Sequence, residues 1–257
     1  MIKIRKINLS YDGKTKILSN FSINFEMGKI SMILGPNGSG KSTLLKAMVG
    51  YLPLLSGDIF IKGKSIKKQS RLDLAKQISL IPQHFSQNFD FTVEELVLMG
   101  RFPYIGYWES YSKKDKEIVE KILNELDLYR MKDKFYNRLS GGEKQRVSIA
   151  RALAQDTDII LMDEAFVNLD INHQLELMNF IKTINEKQGK TIIFVSHNIN
   201  LAAEYGDRIF FIKKGELFLE GKPQEVINSE NLGKLFETDV NVIKNPLSGK
   251  PNFVYTR

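Results

Sequence analysis

The chain of 257 residues contains no cysteine, which removes disulfides and thiolate metal sites and fits a reducing compartment. It also lacks any apolar run near the roughly 20 residues that span a bilayer. Its start, Met1-Ile2-Lys3-Ile4-Arg5-Lys6-Ile7, alternates like a strand and has no signal-peptide apolar core. These absences point to a chain of cytosolic topology. Internal repeats and low-complexity tracts are absent too. Acidic residues are in the minority, 30 against 37 Lys and Arg, for a net charge of +7. A basic balance suits nucleic acid or an anionic membrane surface, but it also describes a Lys-rich solvated exterior. No cluster exceeds short groups such as Lys67-Lys68, so charge alone decides nothing.

What is present is ordinary for a soluble globular protein: 42% hydrophobic and 26% charged residues. The length is generous for one simple domain and short for two. Alternating segments at 2–9 and 21–25 are separated by turn residues Asp12-Gly13 and Met27-Gly28. Residues 30–34 read as a buried strand feeding a glycine-rich loop. A helix follows from Ser42, with Gly50 placed to end it. A strand is expected at 58–61, then a helical middle. There Thr92-Val93-Glu94-Glu95 forms a capping box, and Ile118, Val119, Ile122, Leu123 and Leu126 repeat at helical spacing. Buried strands at 159–162, 191–195 and 209–212 and a helix carrying Leu175, Met178, Ile181 and Ile184 complete the pattern. Strands alternating with helices imply an α/β fold with a largely parallel sheet. The helical block of roughly 70 residues reads as an inserted lobe.

Gly35-Pro36-Asn37-Gly38-Ser39-Gly40-Lys41-Ser42, between a strand and a helix, satisfies the phosphate-loop pattern. Its glycines let backbone N–H groups wrap phosphates, Lys41 supplies a point charge for the β- and γ-phosphates, and Ser42 a hydroxyl for Mg²⁺. Asp163-Glu164 ends a buried strand; one carboxylate there can hold Mg²⁺ and the next can act as general base. Taken alone, such a pair is often only a helix cap. His197, at the C-terminal edge of its strand, is placed to meet a γ-phosphate or the attacking water, whereas His84 and His173 have weaker positions. Gln83, after Ile81-Pro82, offers a neutral amide to Mg²⁺ or to that water. Finally, Leu139-Ser140-Gly141-Gly142-Glu143-Lys144-Gln145-Arg146 reads as a capped helix start with two bare glycines, a second anion site far from the first loop.

With these motifs in this order, the chain resembles the ATP-binding subunit of ABC transporters over essentially its whole length. The resemblance implies a RecA-like P-loop core with an antiparallel β edge and an inserted helical lobe. It places the core at about 1–85 and 157–235, the lobe at about 86–156 and a C-terminal hairpin at about 238–256. It implies ATP and Mg²⁺ as ligands, with Tyr11 stacking on adenine in place of an ordinary strand aromatic. Gly35, Asn37, Gly38, Ser39, Gly40, Lys41, Ser42 and Thr43 would hold the phosphates, and Ser42, Gln83 and Asp163 the metal. Glu164, His197 and Gln83 are the implied catalytic group. It further implies a head-to-tail homodimer, in which Ser140, Gly141 and Gly142 of one copy face the nucleotide of the other. One stretch departs from the family: the usual Pro-Thr after Asp163-Glu164 is Ala165-Phe166, which removes a φ restraint and is expected to add bulk near the dimer seam. Asn198 stands where Asp is common.

The stretch from Phe91 to Tyr104, the runs Leu169-Asp170-Ile171-Asn172-His173-Gln174 and Ser196-His197-Asn198-Ile199-Asn200-Leu201-Ala202-Ala203, and the terminal hairpin are similar to importers of iron–siderophore, haem and vitamin B12 complexes. Phe85, Phe89, Phe91, Phe102, Tyr104, Tyr107, Trp108 and Tyr111 crowd the segment after Gln83. Half or more are expected in the core of the helical lobe, and the rest at a groove for a permease helix. The expectation is an ATPase at the cytoplasmic face of the cell membrane, working with permease subunits and, indirectly, a substrate-binding protein. The rivals are a soluble ABC ATPase of iron–sulfur assembly and a nucleic-acid-binding one. The latter rests on charge alone, so no nucleic-acid partner is expected.

Overall fold

The computed structural model describes residues 1–83, 90–106, 108–166 and 169–254. Twelve strands lie among these residues: β1 (Ile2–Leu9), β2 (Leu18–Phe25), β3 (Ile30–Leu34), β4 (Ser56–Ile61), β5 (Lys64–Ser65), β6 (Ile78–Ile81), β7 (Ile159–Asp163), β8 (Thr191–Val195), β9 (Arg208–Lys213), β10 (Glu216–Gly221), β11 (Asn241–Lys244) and β12 (Pro251–Val254). The helices are α1 (Lys41–Met48), α2 (Arg71–Ala75), α3 (Val93–Leu98), α4 (Lys113–Glu125), α5 (Gly141–Ala154), α6 (Ile171–Gln188), α7 (Ile199–Tyr205), α8 (Pro223–Val226) and α9 (Ser229–Phe236). They form two compact units, Met1–Gln69 with Ile181–Arg257, and Ser70–Phe180. The segment read as a helical lobe falls inside the second unit, and so do β6 and β7.

In the first unit β3 runs parallel to both β8 and β9, and β10 adds an antiparallel edge to β9. The runs Ile-Ser-Met-Ile-Leu and Thr-Ile-Ile-Phe-Val are buried at every position, as strands covered on both faces must be. A separate antiparallel sheet orders as β2-β1-β4-β5. The alternation of β1 breaks at Lys6, whose φ of +46° accompanies register shifts against both neighbours, the signature of a bulge. Phe25 meets Phe210 edge-on at 5.0 Å in this core. The hairpin β11–β12 docks on α7 through reciprocal hydrogen bonds between the Asn200 amide and the Phe253 backbone. Strand β10 and helices α8 and α9 carry no motif that announces them.

In the second unit α3, α4 and α5 pack on one another, burying Val93, Leu96, Val97, Val119, Leu123, Val147, Ile149 and Ala150. Both expected capping boxes form, on Thr92–Glu95 and Ser140–Glu143, and Ser112 with Asp115 makes a third. Arg101 and Asp115 are a buried ion pair at 2.8 Å, and Arg101 also donates to the Ala154 carbonyl and lies 4.1 Å from the Tyr104 ring centre. The Ser112 hydroxyl, followed by the Arg101 guanidinium, holds the Asp115 carboxyl below the usual carboxylate range. Breaking such a buried pair from one side strands a charge, at about 3–5 kcal/mol.

The aromatic segment corrects an expectation. Phe102, Tyr104 and Trp108 are exposed, and Phe91 and Tyr111 only half-buried, so none of the five belongs to the core. Aliphatic residues of the three helices and of β6 and β7 supply most of the core of this unit, with Tyr136 and Phe166 as its buried aromatics. His84, Phe85, Phe89, Tyr107 and Tyr255 lie outside the described residues, as do Val167 and Asn168.

Candidate functional site

The first unit presents the glycine-rich loop between β3 and α1. Gly35 has φ +151°, and a Cβ there would sit 2.0 Å from the backbone oxygen of Ile212 in β9, so only glycine closes this turn. Gly40 leads into α1 with φ +100° and offers no side-chain cap, so the positive end of the helix meets the loop without one. Lys41 is buried, and its Nζ donates to the carbonyls of Gly35 and Pro36, both at 2.9 Å. The loop therefore wraps its own cation. The Ser39 hydroxyl is buried with no hydrogen-bond partner. Exposed Asn37 and Gly38, with Pro36 and Ser39, line a cavity of about 250 Å³ that Lys213, Lys214 and Glu237 also border. An orphaned hydroxyl, a helix start without a side-chain cap and a captive ammonium are the chemistry that an anionic phosphate chain satisfies.

Two flanking residues complete this part. Strand β1 ends at Leu9, and Tyr11 beyond it is 60% exposed, which excludes the reading of Tyr11 as a packed strand aromatic. Its hydroxyl is 3.5 Å from the Thr43 hydroxyl, and Lys46 lies 5.7 Å from the ring centre. Asp12 orders the loop by accepting from Ser10, Lys14 and Thr15, and these donors, the Ser10 hydroxyl foremost, push its carboxyl well below the ordinary range. His197 follows β8 on the exposed surface. Asn198, the departure from Asp, still caps α7 by accepting from the Leu201 amide at 2.9 Å, so the cap survives the change.

The second unit presents the carboxylates. β6 and β7 are parallel with Ile81 opposite Met162, and both strands end there or one residue on. Asp163 is buried; Glu164 leaves the strand in the left-handed region at φ +48°. The Gln83 side-chain amide donates to Glu164 Oε2 at 2.6 Å. Ala165 and Phe166 are both buried, which corrects the expectation that Phe166 adds bulk at a seam: its ring turns inward. The lost proline has a substitute, because Gln174 Nε2 clamps the carbonyls of Phe166 and Leu169 at 3.1 and 2.9 Å. The sequence showed Gln174 within a motif but nothing of this clamp. Asp170 accepts from the His173 backbone and ring, and these bonds hold its carboxyl below the usual range.

In the same unit Ser140 caps α5: its hydroxyl accepts from the Glu143 amide at 3.3 Å, and Glu143 Oε2 accepts from the Ser140 amide at 2.7 Å. Hydrogen bonds from the Ser140 backbone, then from its side chain, lower the Glu143 pKa. Gly141 is exposed with open space where a Cβ would be, and Gly142 has only Leu169 within reach, at 3.4 Å. The helix start is thus bare on one side. The helix body behind it is buried.

Residues 18–167 match the family model described as "ABC transporter". The chain belongs to the ABC transporter family. This ABC protein is 39% identical over 257 residues to the petrobactin import ATP-binding protein FpuC of Bacillus anthracis, covering all of this chain and 93% of that one. Its fold matches a chain of an inward-facing ABC transporter described as of metal-chelate type, with a TM-score of 0.85, 26% identity, and coverage of 100% of this chain and 97% of that one. It also matches the dimeric bacterial ABC transporter cassette MJ0796, with a TM-score of 0.77, 33% identity, and coverage of 86% and 98%. The fold is the RecA-like ABC ATPase fold, and the protein is an ATP-hydrolysing subunit that binds ATP. Among the described residues no helix is long and apolar enough to cross a membrane.

Proposed function

We propose that this ABC ATPase powers import of a chelated metal complex, an iron–siderophore foremost, through a membrane permease. The observation that carries the reading is full-length similarity to a petrobactin import ATP-binding protein, joined to a phosphate loop and a signature helix start on the same chain. The division of labour is a core at about 1–85 and 157–235, a helical lobe at about 86–156 and a hairpin at about 238–256. The subunit sits peripherally at the cytoplasmic face of the cell membrane, with two copies on two permease subunits and a separate binding protein delivering cargo.

In this reading Tyr11 stacks on adenine. The amides of the loop from Gly35 through Gly38, Ser39 and Gly40 to Thr43 wrap the phosphates, Asn37 included, and Lys41 exchanges its two carbonyl partners for phosphate oxygens. Glu164 takes the proton of the attacking water, while His197 meets the γ-phosphate. Ser140, Gly141 and Gly142 of the partner copy close the site. Ser42, Asp163 and the Gln83 amide oxygen would hold Mg²⁺. All are hard oxygen donors, and few enough that the ion keeps waters and takes substrate phosphates. When bound it neutralises charge between the β- and γ-phosphates.

Glu164→Gln should lower Mg-ATP turnover by about 100-fold or more and trap an ATP-bound dimer visible by size exclusion. Wild-type turnover in that variant would remove Glu164 as the base. For cargo, cells lacking the chain should lose uptake of labelled iron–siderophore and regain it with the wild-type gene. Loss of haem or cobalamin uptake alone would move the assignment to those complexes, and unimpaired uptake of all three would end the importer reading.

A further inference from the structure

Parallel pairing of β6 with β7 sets Ile81 opposite Met162, and the same register carried two residues further brings 83 opposite 164. Pro82 lies between, without an N–H to continue the ladder, so the chain leaves the sheet where Gln83 begins. Glu164 simultaneously turns into the left-handed region, at φ +48° for a residue with a side chain. A backbone held in that region at a candidate catalytic carboxylate needs its side chain oriented by something. The Gln83 amide donates to that carboxylate, at 2.6 Å on Oε2.

We propose that Gln83 is a positioning residue for Glu164, which deepens the reading above and rests on Glu164 being the base. An ionised carboxylate only accepts, so the end of the amide facing it must be the N–H₂. This settles both partners at once. Oε2 is held by the donor, which fixes the plane of the carboxylate that takes a proton from water. The Gln83 carbonyl oxygen is turned away from the carboxylate, the orientation in which it can serve a hard cation. A neutral donor does this without adding a charge beside the base; a lysine would pair with it outright. Rotation of the amide end for end would set oxygen against oxygen, so the ionised glutamate also locks the glutamine.

The test uses full-length protein and separates the two ends of the amide. Gln83→Glu keeps an oxygen for a cation but removes the N–H and sets two carboxylates together, which cannot both ionise at that distance. We expect kcat to fall about tenfold or more, with KM for ATP and the Mg²⁺ concentration for half-maximal nucleotide binding, read by a fluorescent ATP analogue, each within about threefold. Gln83→Leu should cost a similar factor in kcat. In a Glu164→Gln background Gln83→Glu, which keeps an oxygen for the cation, should lower the residual turnover by no more than about twofold, because a positioning residue has nothing left to position. Gln83→Leu, which also removes that oxygen, should lose turnover in both backgrounds, but less with Gln at 164 than with Glu. Equal losses in both backgrounds, or full activity of Gln83→Glu, would overturn the proposal. Wild-type turnover of Glu164→Gln would instead overturn the underlying base assignment and leaves a different signature, no effect of the single Glu164 change.

Discussion

Two helix starts in this protein are rich in glycine, and they use glycine for opposite reasons. Before α1 the glycines are demanded by the backbone: Gly35 and Gly40 have φ values of +151° and +100°, and a Cβ at either meets atoms closer than 3.0 Å. No side chain caps that helix. Before α5 the cap is complete, with Ser140 and Glu143 satisfying each other's amides. Gly141 and Gly142 there have ordinary backbone angles and room for a methyl group. Their glycine character has no local conformational cause. The difference teaches that a conserved-looking glycine can answer an internal clash or clear space for something outside the chain. In the function proposed above, that something is the nucleotide carried by a partner copy facing residues 140–142.

Substitution at the two starts should therefore fail in different ways. The largest effect belongs to Gly35→Ala, where the methyl collides with the Ile212 carbonyl; stability should drop by about 3 kcal/mol or more, seen as a lowered Tm together with lost ATP binding. An unchanged Tm would break the comparison. At the second start Ser140→Arg should spare ATP binding and abolish hydrolysis. Gly142→Ala should shift stability by no more than about 1 kcal/mol, in the stabilising direction expected of a helix interior, while turnover falls. If Gly142→Ala lost turnover only in proportion to lost folded protein, clearance for a partner would be the wrong explanation.

The smallest effect is a pH dependence confined to the second start. The Glu143 pKa is lowered by the folded-state bonds from Ser140, so its contribution is fully present above the unfolded carboxylate value, near pH 4.3, and is lost as pH falls through the lower folded value. Hydrogen exchange at the Ser140 amide, which donates to the Glu143 carboxylate, should rise on acidification into that window relative to trends elsewhere in the chain. The start of α1 has no acidic residue in its first turn and should show no matching step. Equal acid sensitivity at both starts would show that the capping box is not its source.

Much of the candidate site was legible because its parts are contiguous in sequence. The phosphate loop, both capping boxes read in advance and the carboxylate pair each need only neighbours within four residues, and local geometry follows from such spacing. The aromatic segment misled for the opposite reason. Phe102, Tyr104 and Trp108 are as apolar as core residues, and only the packing of α3, α4 and α5 on aliphatic side chains shows that no room was left for them. Phe166 misled likewise, since inward or outward orientation is a property of the surrounding fold. The Arg101–Asp115 pair and the Gln174 clamp were invisible, as a charged residue on a helix is ordinarily solvated.

By its own order of residues, this chain determined that it carries a phosphate loop, a capped signature helix, an acidic strand end and an aromatic placed before them. These depend on spacing along one backbone, and spacing is what a sequence states. The tertiary structure alone decided that Gln83 meets Glu164, because that contact needs two strands separated by about 80 residues to pair in one register, and a single-residue slip would turn both side chains elsewhere.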